Sequence, residues 1–277
     1  MATILPKLYT ILMINALRYP GGKSRNIKYI KDYFPNLSEY KEFREPFCGG
    51  LSLSLYYKQQ FNLKFKASDL NYELYCFWNI LKNNHMQLIT ILDFFKTYHL
   101  DGKTLYKAIL TRRQDKLTEL QKAVDFFIIN RISFSGLADS GGYSQEAFEK
   151  RFTKSSINNL NLIHDFIKEF DFSCEDFSFL MNLEGERVFI YADPPYYSQA
   201  NSKLYGKNGD LHLGFNHNKF FESFINCKHN VLITYDDSEF IRNLYKDYNI
   251  TPIELQYSMN NINSSCKKGK ELIIKNY

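Results

Sequence analysis

The sequence predicts an α/β fold in which a mostly parallel sheet is interrupted by a block of helices. Short apolar runs that end in polar, glycine or proline residues occur toward both ends of the chain, as buried strands of such a sheet do. Between them, from about Cys76 to Glu169, apolar residues recur at helical spacing among charged ones. Strands on both sides of a helical block indicate that two distant stretches of chain form one sheet, with the helices as an insertion.

Five apolar runs predict strands of the parallel sheet, and most of them lead into an acidic residue. These runs are Lys41–Phe47, Phe61–Ser68, Phe170–Cys174, Arg187–Ala192 and Asn230–Tyr235. Because ligand sites of open parallel sheets lie beyond the carboxyl ends of the strands, we expect site residues to collect at that edge. Two later runs, Ile253–Tyr257 and Glu271–Tyr277, flank the polar stretch Asn260–Gly269, which predicts a C-terminal antiparallel hairpin.

Four stretches in the middle of the chain predict helices. They are Leu88–Tyr98, Leu105–Arg112, Leu117–Ile129 and Lys154–Phe170. The Ser- and Gly-rich stretch Asn130–Tyr143 predicts a loop. We therefore expect an N-terminal extension over residues 1–14, a sheet-forming domain built from residues 15–75 and 170–277, and an inserted helical domain over residues 76–169.

The composition argues against several classes of protein. The five cysteines are scattered along the 277 residues, and no histidines or cysteines cluster at metal-ligand spacing, so we expect neither disulfides nor a metal site. No apolar run approaches the roughly 20 residues that span a bilayer. Met1–Ile14 is followed by no small-residue cleavage site, so we expect a cytoplasmic protein. The formal net charge of +5 is compatible with a polyanionic partner without requiring one.

The clearest chemical signal is the segment VFIYADPPYYS, residues 188–198, in which a predicted strand leads into an acid, two prolines and two tyrosines. An aromatic amine is a poor nucleophile because its lone pair is delocalised, so it attacks a methyl group only when acceptors hold its two hydrogens. The Asp193 carboxylate and the Pro194 carbonyl offer two such acceptors. Tyr196 offers a ring for base stacking, a contact worth about 1–3 kcal/mol. The alternative is a surface turn in which Asp193 is only a cap.

Two glycine turns predict a site for a small ligand. The segment REPFCGG, residues 44–50, leads from a strand into a helical pattern, where glycines such as Gly49 let the backbone approach a ligand. Asp69 ends the next strand, where an acid can bind ribose hydroxyls. The segment RYPGGKS, residues 18–24, presents Tyr19 and Lys23, the latter either for a carboxylate contact or as a solvated turn lysine. The glycine spacings of dinucleotide and ATP sites are missing, which argues against both ligands.

Together these segments resemble the Dam-like family of DNA adenine-N6 methyltransferases over nearly the whole chain. Further matches are ASDLN at residues 67–71, NRISFSG at 130–136 and KKGKELIIKNY at 267–277. The resemblance implies a Rossmann-like methyltransferase sheet, a helical target-recognition domain over residues 76–169, and S-adenosylmethionine as the cofactor. It implies that an adenine is flipped out of the duplex and receives the methyl group directly, with Asp193, Pro194 and Tyr196 as the catalytic residues.

The resemblance also implies which residues serve the cofactor. They are Tyr19, Lys23, Glu45, Phe47, Gly49, Asp69, Asp176, Phe177 and Asp193. Tyr19 stands where many members of the family have tryptophan, and Asp69 matches the ribose-binding acid. Asp176 with Phe177 resembles the segment that contacts the adenine of the cofactor.

For DNA contacts, the resemblance and the position next to Tyr196 select Asn130, Arg131, Ser133, Ser135 and Tyr197. Arg131 is the candidate for a phosphate or base contact, and its alternative is an intramolecular salt bridge at the end of a helix. The implied partners are double-stranded DNA and a cognate restriction endonuclease, and we expect a monomer or weak dimer. Two other functions stay open: methylation of another planar amine (cytosine N4, an RNA base or a glutamine side chain), and DNA binding without catalysis.

Overall fold

The computed structural model describes residues 15–19, 21–136, 141–197, 214–257 and 267–277, and the predicted extension over residues 1–14 lies outside them. Within this part of the chain, seven strands form one sheet. Their bounds are β1 Glu42–Glu45, β2 Lys64–Ser68, β3 Asp171–Ser173, β4 Val188–Ala192, β5 Asn230–Asp236, β6 Asn249–Tyr257 and β7 Lys267–Lys275. The order across the sheet is β3-β2-β1-β4-β5-β7-β6.

The sheet is parallel except at one edge. β1 pairs with β2 and β4, β2 pairs with β3, and β4 pairs with β5, all in parallel. By contrast, β7 lies antiparallel between β5 and β6. This topology confirms the predicted α/β class, with a mostly parallel sheet and an antiparallel pair at the C-terminal end. Because the parallel strands point the same way, the residues that follow them meet at one edge of the sheet.

Side chains alternate between two hydrophobic clusters, one on each face of the sheet. In β4, Phe189 and Tyr191 belong to the first cluster, whereas Val188, Ile190 and Ala192 belong to the second. Strands β5 and β7 follow the same alternation. Successive residues of a strand point to opposite faces, so apolar residues at every position bury the strand on both sides. This explains why the strands were recognisable as continuous apolar runs.

Helices surround the sheet. In the described residues they are α1 Ile27–Ile30, α2 Ser52–Lys58, α3 Tyr72–Asn83, α4 His85–Tyr98, α5 Gly102–Arg112, α6 Glu119–Ile132, α7 Gln145–Lys150, α8 Lys154–Ile167, α9 Phe177–Asn182, α10 His217–Asn226 and α11 Glu239–Leu244. Helix α3 packs on α6, and α4 packs on α8. None of the helices in these ranges is both long enough and apolar enough to cross a membrane.

Two boundaries differ from the sequence prediction. The predicted loop Asn130–Tyr143 is wrong at its start, because α6 continues to Ile132 with its apolar side chains buried. Helix α3 begins at Tyr72, where the Asn71 side chain caps two backbone amides, so the predicted boundary at residue 76 falls inside a helix. Helices α3 and α6 share the first hydrophobic cluster with the sheet, and the division into two domains stays a prediction.

Arg44 of β1 is fully buried and connects this strand to the end of α9. Its guanidinium donates to the Glu42 carboxylate and to the backbone carbonyls of Leu180, Leu183 and Glu184. The last carbonyls of a helix have no partner within the helix, so they need donors from elsewhere. The planar guanidinium offers five N–H donors, enough to bond all four of these groups.

Arg44→Met should lower the free energy of unfolding by about 3–5 kcal/mol, because it leaves a buried carboxylate and three carbonyls without their donor. The matched control is Lys228→Ala, which removes an exposed cation from Glu184 in the same region. The control should change the stability by less than about 0.5 kcal/mol. Urea denaturation measures the free energy of unfolding of both variants. An Arg44→Met protein as stable as the wild type would contradict this role.

Candidate active site

Lys23 and Asp193, which lie 170 residues apart in the sequence, form an ion pair at the carboxyl end of β4. The Lys23 Nζ lies 2.7 Å from both carboxylate oxygens of Asp193. The Lys23 side chain is 4% exposed, whereas that of Asp193 is 20% exposed. Pro194, the next residue, is buried. The glycine turn before Lys23 is thus joined to the end of β4, and the Asp193 carboxylate keeps one side open to solvent.

Tyr196, Thr234 and Glu271 complete this cluster. The Tyr196 hydroxyl donates to Glu271 Oε1 at 2.6 Å and accepts from Lys23 Nζ at 2.9 Å. The Thr234 hydroxyl donates to Asp193 Oδ1 at 2.8 Å. Thr234 lies on β5 and Glu271 on β7, so the antiparallel edge of the sheet supplies part of the site. Sequence reasoning missed both residues, and Glu271 appeared there only as the first residue of a predicted strand.

Two buried glutamates near Asp193 have raised pKa values. Burial raises the pKa of Glu45 to about 8, although the Ser54 hydroxyl donates to its carboxylate and opposes the shift. Burial also raises the pKa of Glu271 to about 7, and the Lys23 ammonium opposes this shift. The surroundings of Asp193 therefore contain acidic groups that change protonation near neutral pH.

Tyr19, Gly49 and Asp69 meet at the ends of β1 and β2. The Asp69 carboxylate accepts from the backbone amides of Gly49, at 3.1 Å, and Asn71, at 3.0 Å. Gly49 has a φ of +43°, and a Cβ at this position would lie 2.8 Å from the Tyr19 ring. The aromatic ring therefore packs directly on the glycine turn, as only a residue without a side chain allows.

An aromatic cluster joins Phe47, which follows β1, to Phe177, the first residue of α9. The rings of Phe47 and Phe177 are stacked with their centroids 5.7 Å apart. Asp176 caps α9 by accepting from the Ser178 amide at 3.0 Å, and Lys219 Nζ lies 3.4 Å from the same carboxylate. Of the predicted cofactor residues in this region, Phe47 and Phe177 thus form an apolar surface, and Asp176 is a partly exposed acid beside it.

The end of α6 holds the segment that precedes Tyr19. The Asn130 side chain is 1% exposed, accepts from the Arg18 amide and donates to the Arg18 and Gly136 carbonyls, each at 2.9 Å. The Arg131 guanidinium donates to the Ala16 carbonyl, and burial lowers its pKa to about 10. The side chains of Asn130 and Arg131 are therefore engaged within the protein.

The three other predicted DNA-contact residues differ in exposure. Ser133 is fully buried, whereas Ser135 is exposed with a φ of 54°. Tyr197 is 40% exposed, its ring stacks on Phe240 with centroids 4.2 Å apart, and its amide donates to Asp236 Oδ1 at 2.8 Å. Of the five predicted residues, Ser135 and Tyr197 alone are exposed in this arrangement, and the role of all five in DNA binding stays a prediction. Across the described ranges, no group of three His, Cys, Asp or Glu side chains could hold a metal ion.

Comparisons with known proteins agree with the chemistry of this site. Residues 19–259 match the family described as D12 class N6 adenine-specific DNA methyltransferase. The chain is 28% identical to the type II methyltransferase M.CviBI of Paramecium bursaria Chlorella virus NC1A, over 94% of this chain and 98% of that protein. It is 27% identical to the type II methyltransferase M1.LlaDCHI of Lactococcus lactis subsp. cremoris, over 94% of each protein.

A third relative, the type II methyltransferase M.MjaIII of Methanocaldococcus jannaschii, is 24% identical over 94% of this chain and 98% of that protein. The match to the family covers most of the chain, and of the site residues described above only Ala16, Arg18 and Glu271 lie outside it. The predicted resemblance is thereby confirmed. The protein belongs to the D12 class N6 adenine-specific DNA methyltransferase family.

Proposed function

We propose that this protein methylates adenine at N6 in double-stranded DNA, with S-adenosylmethionine as the methyl donor. The observation that carries the proposal is the Asp193 carboxylate, which the buried Lys23 holds at the end of β4 directly before Pro194. Membership of the family favours adenine over the alternatives of cytosine N4, an RNA base or a glutamine side chain. The intact ion pair argues against a homologue that binds DNA without catalysis.

The groups around the glycine turn fit S-adenosylmethionine. Two backbone amides fix the Asp69 carboxylate, which suits a contact to both ribose hydroxyls. The Tyr19 ring, packed on Gly49, offers an apolar surface beside it. The other proposed cofactor residues are Lys23, Glu45, Phe47, Asp176, Phe177 and Asp193. When bound, S-adenosylmethionine supplies a methyl group on a positively charged sulfur.

Asp193 and Pro194 hold the target amine in this proposal. The Asp193 carboxylate accepts a hydrogen bond from one N–H of N6, and the Pro194 carbonyl accepts one from the other. The nitrogen can then become more tetrahedral, so that its lone pair is less delocalised into the ring. Fixed acceptors and fixed reacting atoms lower the barrier without any rearrangement during the reaction. The Tyr196 ring contacts the base, and hydrogen bonds to Lys23 and Glu271 set its orientation.

The target adenine leaves the duplex before it reacts. The side chain of Asp193 is only 20% exposed, so an adenine that stayed stacked in the duplex would not bring its amine to the carboxylate. Extrusion costs a few kcal/mol of unstacking and unpairing. Contact with an aromatic ring stabilises the extruded base by about 1–3 kcal/mol and so offsets part of this cost.

Two exposed side chains, Ser135 and Tyr197, keep the role of direct DNA contacts in this proposal. The buried Asn130 and Ser133 and the half-buried Arg131 shape the end of α6 and the turn that carries Ser135, and they act on DNA through that turn. The formal net charge of +5 supports a sequence-independent attraction to phosphates.

A restriction endonuclease is the proposed functional partner. Relatives that match nearly the whole chain are named type II methyltransferases, which supports a role in a restriction-modification system. Methylation of the recognition sequence would then protect the host DNA. We place the enzyme in the cytoplasm, as a monomer or weak dimer.

Asp193→Asn should slow methyl transfer at least about 100-fold, because the amide keeps the shape but loses the charged acceptor and the ion pair with Lys23. Single-turnover formation of N6-methyladenine in DNA of varied sequence, followed by mass spectrometry, measures the effect. The matched control is Asp171→Asn, which removes an exposed carboxylate paired with Lys66 and should change the rate by less than about twofold. A wild-type rate in Asp193→Asn would refute the role of Asp193.

The same assay tests the proposed function itself. Wild-type protein that forms no N6-methyladenine in any DNA would refute it. A product methylated at cytosine would refute the choice of adenine.

Asp69→Asn should weaken binding of S-adenosylmethionine by roughly 10–100-fold, because the charged acceptor for the ribose hydroxyls is lost. The amide oxygen can still accept from Gly49 and Asn71, so the turn should keep its shape. Isothermal titration calorimetry measures the dissociation constant, with Asp171→Asn as the control. An unchanged dissociation constant in Asp69→Asn would show that Asp69 does not bind the cofactor.

A further inference from the structure

Glu271 is a buried carboxylate at the edge of the proposed catalytic cluster. It lies on β7, opposite Asp236 of β5, and is 1% exposed. Its Oε1 accepts from the Tyr196 hydroxyl at 2.6 Å and lies 4.0 Å from Lys23 Nζ. Its Oε2 is buried and has no hydrogen-bond partner among the residues that the structure describes. A buried carboxylate oxygen without a donor destabilises the folded protein, so its presence here calls for a functional explanation.

The Tyr196 hydroxyl has one proton and two acceptors within reach. Glu271 Oε1 lies at 2.6 Å and Asp193 Oδ1 lies at 3.4 Å. Burial raises the pKa of Tyr196 well above its ordinary value, so the hydroxyl stays a donor. The shorter distance directs its proton to Glu271 and away from Asp193.

Asp193 already accepts several hydrogen bonds. Lys23 donates to both of its oxygens at 2.7 Å, and Thr234 donates to Oδ1 at 2.8 Å. An ionised carboxylate offers about four lone-pair positions, two on each oxygen. Both positions on Oδ1 are therefore used, and one remains on Oδ2. A Tyr196 hydroxyl turned toward Asp193 would compete with these donors and weaken the carboxylate as an acceptor.

We propose that Glu271 is a positioning residue for methyl transfer: it holds the Tyr196 hydroxyl and the Lys23 ammonium so that Asp193 keeps an acceptor position for the target amine. The inference rests on the proposed function of Asp193. Glu271 acts through Tyr196 and Lys23, and it does not touch the reacting atoms.

Protonation of Glu271 would undo this arrangement. The titratable and charged groups that face it are Lys23, Tyr191, Asp193, Tyr196 and Asp236. Burial raises its pKa to about 7, Lys23 opposes the shift, and the charges of Asp193 and Asp236 add to it. Above this pH, the ionised carboxylate accepts the hydrogen bond that the Tyr196 hydroxyl donates. Below it, the neutral acid accepts weakly, the hydroxyl is free to turn to Asp193, and methyl transfer slows.

The test is the single-turnover rate of wild type and Glu271→Gln from about pH 5.5 to about pH 9. We expect the wild-type rate to rise about tenfold through an inflection near the Glu271 pKa of about 7. Glu271→Gln keeps the size of the side chain but cannot ionise. Its rate should lack this inflection and stay about tenfold below wild type at high pH, with cofactor affinity within about twofold.

Two further variants separate positioning from general structure. Glu254→Gln makes the same chemical change on the neighbouring strand β6, at an exposed position, and should keep the wild-type pH profile. Tyr196→Phe removes the hydroxyl that Glu271 holds, so it should lose the same inflection. In that background, Glu271→Gln should cause much less further loss than it does in wild type.

An inflection and a rate in Glu271→Gln that match wild type would overturn the inference, as would additive effects of the two substitutions. If Glu271→Gln fails to fold, the pH profile of Tyr196→Phe tests the inference by itself. An inflection near pH 7 that persists in Tyr196→Phe would then contradict the role of Glu271. Wild-type protein that methylates no DNA is a different result, because it would overturn the proposed function and the inference together.

Discussion

The ion pair between Lys23 and Asp193 is the contact on which the arrangement of the site depends. Removing two charges from water costs several kcal/mol per ion, so such a pair persists only when its geometry and its further hydrogen bonds are good. Here Thr234 and Tyr196 provide those bonds. The N-terminal glycine turn, the end of β4 and the antiparallel edge of the sheet must therefore all be in place before Asp193 is correctly held.

Much of the fold and part of the site follow from local sequence. The parallel strands were predictable because apolar side chains fill both faces, and Asp193 was predictable because it follows such a strand directly. Glu271 was not, because its role arises only when β7 pairs with β5, a contact between distant parts of the chain. Asn130 was predicted to contact DNA from the family resemblance of its segment, and local sequence did not indicate that the Arg18 backbone, 112 residues away, engages its side chain.

Two sets of contacts join the regions proposed for the cofactor and for DNA. The end of α6 holds the Arg18 backbone through Asn130, and the next residue, Tyr19, packs on the glycine turn. A short path of hydrogen bonds and packing therefore links the turn at Ser135 to the residues around Asp69. The side chains at the end of α6 connect the two proposed binding regions.

The position of β7 between β5 and β6 has a consequence for synthesis of the protein on the ribosome. Strands emerge in chain order, so β5 and β6 are both available before the strand that must lie between them. Until then, the backbone groups along one side of β5 are unpaired and can bond to a strand of another chain. Because Glu271 lies on β7, the proposed catalytic cluster is complete only after this last strand has paired with β5.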